Sequence, residues 1–135
     1  MKILQWLIIL VGVALALPSA ASQATPQPEH AVIVHFAYTS ADPQPLFALE
    51  EQLRSAVNQS GVGTYDGSEH ESDGNQVFND PRQGYFYFYG PNAGRIFEII
   101  EPILKTAPIM QGAQVKKRYG APVKGVKQVV VVVGA

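Results

Sequence analysis

The chain repeats itself. Displaced by about 50 positions without a gap, His35-Phe36-Ala37-Tyr38 falls on Tyr85-Phe86-Tyr87-Phe88, and Leu46-Phe47 falls on Ile96-Phe97. Leu49 then meets Ile99, Glu51 meets Glu101 and Leu53 meets Ile103, while Asp42 and Asn92 coincide as helix caps. A duplicated unit restricts the fold more than any single motif, because both copies must bury equivalent faces in one shared core.

Each copy reads as strand, turn, helix, strand. Ala31 to Tyr38 is rich in β-branched and aromatic residues, the composition of a buried strand. Asp42-Pro43 predicts a helix start, Leu46, Phe47, Leu49, Leu53 and Val57 follow helical spacing, and Gly61 marks the stop. A short strand around Val62 to Tyr65 completes the first unit. In the second, Tyr85 to Tyr89 is the strand and Gly90-Pro91-Asn92 the turn and cap. Ile96, Phe97, Ile99, Ile100, Ile103 and Leu104 mark the helix, which Pro102 should kink or end early. Ala113 to Tyr119 is the next strand.

Two βαβ units in tandem predict an α+β fold, a ferredoxin-like βαββαβ sandwich whose helices cover one face of an antiparallel sheet. The strands from Ala31 and Tyr85 should be central, and the one carrying Lys116-Lys117-Arg118 an edge guarded by its charges. Val126 to Val133 supplies an extra C-terminal strand after the hairpin connection Gly120 to Gly125. Its five consecutive valines call for cover on both faces, as a second subunit would give.

The N-terminus lies outside the repeat and has its own logic. Lys2, the apolar run Ile3 to Leu17 and the small residues Ser19, Ala21, Ser22 and Ala24 form the three regions of a secretory signal peptide. The run is shorter than the roughly 20 residues that span a bilayer, so no stable membrane anchor is expected. The resulting organisation is a signal peptide over 1–24, a flexible lead-in over 25–30 and one domain over 31–135, placing the product in the periplasm or outside the cell. The absence of cysteine excludes disulfides, thiol catalysis, Cys-ligated metals and a lipoprotein anchor.

The most distinctive chemistry is Tyr85-Phe86-Tyr87-Phe88-Tyr89. Period-two alternation sends the phenylalanines to one face and the tyrosines to the other. Because Phe86 repeats Phe36, the phenylalanines belong under the helices. Tyr85, Tyr87 and Tyr89, with His35 on the neighbouring strand, then occupy the uncovered face as a binding surface. Tyrosine rows stack on bases, sugars or proteins, or pack at a dimer interface. Export, a mature net charge near −2 once Lys2 is removed and a spacing unlike that of RNA-recognition domains exclude nucleic acid.

A second candidate is the polar stretch Tyr65 to Asn75. Asp66, Glu69, His70 and Asp73 are an oxygen-rich set with one imidazole, suited to a divalent metal or small ligand. Their spacing lacks the alternation of an EF-hand, and Asp66-Gly67 is also a turn signal.

Catalysis has no support in the pattern. His30, His35 and His70 are dispersed, no nucleophile elbow or phosphate loop is present, and Glu50 and Glu51 point apart on a helix. Neither an enzyme nor a cofactor is expected. Acids end at Glu101, after which Lys105, Lys116, Lys117, Arg118, Lys124 and Lys127 are unbalanced, an asymmetry that suits an anionic partner or internal complementarity.

Leu49-Glu50-Glu51-Gln52-Leu53, Gly61-Val62-Gly63-Thr64-Tyr65-Asp66-Gly67, Tyr89-Gly90-Pro91-Asn92-Ala93, Phe97 through Leu104 and Arg118-Tyr119-Gly120 together resemble a family of small bacterial proteins of unknown function. The resemblance spans Val32 to Val133 and implies a ferredoxin-like fold, without catalytic residues. The signal peptide and the longer Glu71 to Gln83 segment set this chain apart. The combined expectation is a non-enzymatic binding or regulatory module that meets a protein partner or itself, the alternative being a metal- or small-ligand-binding protein.

Overall fold

A computed structural model of the chain describes residues 29–70 and 82–135. The signal segment 1–24 and Asp73 lie outside these residues. Within them the fold is α+β, a five-stranded antiparallel sheet with two helices against one face. Strand β1 (His30–Tyr38) leads into α1 (Gln44–Ser60) and β2 (Thr64–His70). Strand β3 (Arg82–Gly90), α2 (Ala93–Thr106) and β4 (Gln114–Arg118) follow, and β5 (Gln128–Val132) ends the series. The order across the sheet is β2-β3-β1-β4-β5. Among the described residues no helix is long and apolar enough to cross a membrane.

The repeat shows in the sheet register. His35 and Tyr85, equivalent positions of the two copies, are direct cross-strand partners, so the local axis relating the two strands passes between them. The helices do not follow the same displacement. Their buried stripes match 47 apart, as Leu46/Ala93, Leu49/Ile96, Leu53/Ile100 and Val57/Leu104. The connection into α2 is three residues shorter than the one into α1, so a gapless displacement puts the helices out of phase. This explains Phe47, expected in the core but 51% exposed beside the Leu46 stripe.

The helix ends differ as well. The Asn92 side chain caps α2 by accepting from the Arg95 amide at 3.2 Å. Asp42 instead precedes the α1 cap, Pro43, and accepts from the Gln44 amide at 3.0 Å. Gly61 ends α1 at φ 73°, a left-handed conformation natural to glycine. Pro102 does not end α2, which runs on to Thr106. Proline removes one amide donor, and the surrounding Ile96, Ile100 and Leu104, all fully buried, hold the helix through that gap.

The core lies between helices and sheet. Val32, Val34 and Phe36 of β1, Phe86 and Phe88 of β3 and Val115 of β4 meet both helix stripes. Each fully buried aliphatic or aromatic side chain contributes roughly 1.5–3 kcal/mol. At the β2 margin Tyr65 and Ser68 both donate to the Glu50 carboxylate, the latter at 3.1 Å, while the Arg54 guanidinium lies 5.2 Å from the centre of the Tyr65 ring. Burial, reinforced by the Glu50 carboxylate, pushes the Tyr65 phenol well above its ordinary pKa. This ties α1 to β2.

Within the single chain Val129, Val130 and Val132 of β5 are exposed. Two expectations about the sheet require correction. Lys116-Lys117-Arg118 is not at the edge, because β5 pairs along β4 from Gln128 to Val132. Asp66-Gly67 does not end β2, which continues to His70 past a register shift between Tyr65 and Gly67. One additional residue there is a β-bulge, and Gly67 takes φ 123° within it.

Candidate functional site

The sheet register defines the uncovered face. Period-two alternation in β1 and β3 turns the buried Val32, Val34, Phe86 and Phe88 toward the helices. Their neighbours His35, Tyr85, Tyr87 and Tyr89 therefore share the opposite face, as the alternation in the sequence predicts. Across the sheet Tyr87 is level with Gly67, Ile33 and, through Ile33, Lys116 and Val130. Tyr85 is level with Glu69, His35, Gln114 and Val132.

The rings on this face form a continuous stack. His35 and Tyr85 lie 4.6 Å apart between centroids, with planes 7° from parallel. Tyr85 and Tyr87 continue the stack at 6.1 Å and 17°. Gln83 completes one end through a 2.6 Å hydrogen bond between its Oε1 and His35 Nε2, in which the imidazole donates. At the other side Tyr87 donates to the Glu69 carboxylate at 2.9 Å. Desolvation, the hydrogen bond donated to Glu69 and the Glu69 charge together push the Tyr87 phenol up to about 12. The phenol is a committed donor at neutral pH.

Of the proposed metal ligands, Asp66, Glu69 and His70 are described. They are not gathered. The bulge takes up Asp66, Glu69 turns to the open face and His70 to the helix side, where its ring meets Phe36 edge-on at 6.2 Å. No group of three or more potential metal ligands occurs among the described residues. Alternation along β2 sends the consecutive Glu69 and His70 to opposite faces, and the register shift sets Asp66 apart from the regular pairing that holds both. His30, placed by sequence in the lead-in, begins β1 and its Nδ1 accepts from the Ala93 amide at 3.0 Å, anchoring the start of α2.

Several residues of the open face escape a sequence reading. Gln83 holds His35, Glu69 orients Tyr87, and Ile33 and Lys116 lie beside the rings. Alternation alone assigns Ile33 to this face, whereas the places of Glu69 and Lys116 depend on register between distant strands. Lys117 takes the helix side, its ammonium 4.5 Å from the centre of the Phe97 ring. The consecutive basic residues are thereby divided between the faces and make no single cationic patch. No family model, curated protein or solved structure matches the chain.

Proposed function

We propose that this is an exported, non-enzymatic binding module of ferredoxin-like fold with an appended C-terminal strand, which engages a protein through the tyrosine face. The stacked His35-Tyr85-Tyr87 row supports this most directly. It is rigid aromatic surface, held at both ends by hydrogen bonds and left open by the helices. Tyrosine contributes large contact area with little side-chain entropy to lose and keeps a polar tip for a partner. The strand order β2-β3-β1-β4 supports the ferredoxin-like assignment, and the three-part N-terminal segment supports export.

The test compares capture from periplasmic extract by the unaltered protein and by Tyr87→Ala, with Phe47→Ser as a surface control. A protein retained by the first and the control but lost with Tyr87→Ala supports the tyrosine face. Equal retention by all three removes it. Mass spectrometry of the recovered chain tests export, because an intact Met1 would contradict cleavage near Ala24.

A further inference from the structure

The two edges of the sheet are built differently. At β2 the edge carries a bulge at Asp66-Gly67 and the ionisable side chains of Glu69 and His70, all devices that discourage another strand. At the other margin β5 reads Gln128-Val129-Val130-Val131-Val132, without charge, proline or bulge. Val130 is 54% and Val132 41% exposed, and among the described residues β5 pairs only with β4.

The hydrogen bonds fix which backbone groups face outward. Lys127 accepts from the Tyr119 amide at 2.9 Å, Val133 donates to Ala113 at 2.9 Å and Val133 accepts from Gly112 at 3.0 Å. Odd-numbered residues of this strand thus direct their amides and carbonyls toward β4. By antiparallel alternation Gln128, Val130 and Val132 direct theirs away from it. The Val132 carbonyl already accepts a long bond from the Ala135 amide, at 3.4 Å, and retains a second lone pair.

We propose that the β5 edge binds a second copy of this chain, strand against antiparallel strand, about a two-fold axis through Val130. In the register that overlaps the whole strand, Val130 pairs with Val130, and Gln128 with Val132 in both directions. Every one of these pairs matches outward groups with outward groups. No like charges meet, since Lys127 lies opposite Val133 and roughly 20 Å along the strands from its own copy. An uncharged β-branched strand is complementary to itself, whereas a strand bearing unbalanced charge would favour a different partner. The axis is perpendicular to the sheet, so both tyrosine faces open on one side of a continuous ten-stranded sheet. This is a different surface from the tyrosine row, and it stands or falls separately.

The experiment expresses the chain from its full sequence and measures mass by light scattering. The unaltered protein and Tyr87→Ala should have the mass of two chains. Val130→Lys puts two ammonium groups against each other at the axis and should have the mass of one, with an unchanged circular dichroism spectrum. Val130→Cys supplies a second readout, because paired residues of this type lie about 5.5 Å apart between Cα atoms, within disulfide range. The chain has no other cysteine, so oxidation should link two copies through residue 130. Val129→Cys, two residues out of register with its own copy, should not be linked. A single-chain mass for the unaltered protein, a dimer that survives Val130→Lys or equal linkage at 129 and 130 would overturn the proposal.

Discussion

Phe86 and Tyr87 are neighbours in β3, and between them they divide the molecule. Phe86 is fully buried beneath the helices, 4.7 Å from Phe36 between ring centroids and tilted against it. Tyr87 faces away from the helices, where its hydroxyl meets Glu69. One ring contributes by being removed from water, the other by remaining available to it. The helix side therefore sets stability, and the open side leaves its rings in reach of solvent.

The sharpest way to break this division is to truncate one ring at a time. Phe86→Ala should cost about 3–5 kcal/mol, the transfer loss plus a cavity between Phe36 and Tyr65. Tyr87→Ala should cost about 1 kcal/mol, one hydrogen bond and part of a stack. Urea unfolding monitored by circular dichroism measures both. Similar losses would mean that the tyrosine face is a second core rather than an open surface.

Gly84 sharpens the comparison from the opposite direction, by adding a group under the helices. A Cβ there would stand 2.5 Å from Phe36 Cζ and 2.7 Å from Cε2. The Phe36 ring is itself enclosed by Phe86 and His70, so it has little room to yield. Gly84→Ala should destabilise by about 1–3 kcal/mol, read from the same unfolding curves. A neutral effect would show that this end of the core is loosely packed.

The division between faces was legible in Tyr85 to Tyr89 because alternation needs no knowledge of partners. Strand identity was legible for a similar reason, since β-branched and aromatic runs leave few other conformations. The helix phase was not, because three residues missing from one connection leave no mark in a gapless repeat. The end of β2 was hidden for another reason. Asp66-Gly67 suits a turn and a bulge equally well, and only pairing with β3 decides between them. The grouping of Glu69 with Tyr87 depends on that same pairing, which places an expected metal ligand as a hydrogen-bond acceptor instead.

The smallest effect on the fold concerns the proton of Tyr87. Its pKa of about 12 is above the ordinary tyrosine value of 10, through desolvation first and the Glu69 hydrogen bond and charge next. A folded-state value raised above the unfolded one means that the folded chain holds its proton longer. Its contribution to stability is complete below pH 10 and is lost as pH rises toward 12, because the unfolded state ionises first. Glu69→Gln removes the charge while keeping an oxygen that can accept, and should bring the Tyr87 pKa part of the way toward 10. Difference absorbance near 295 nm between this variant and the parent isolates that phenol from Tyr65 on the other side of the sheet, which burial and then the Glu50 carboxylate hold protonated. An unchanged titration would show that desolvation alone raises the group, and that Glu69 orients the ring without controlling its proton.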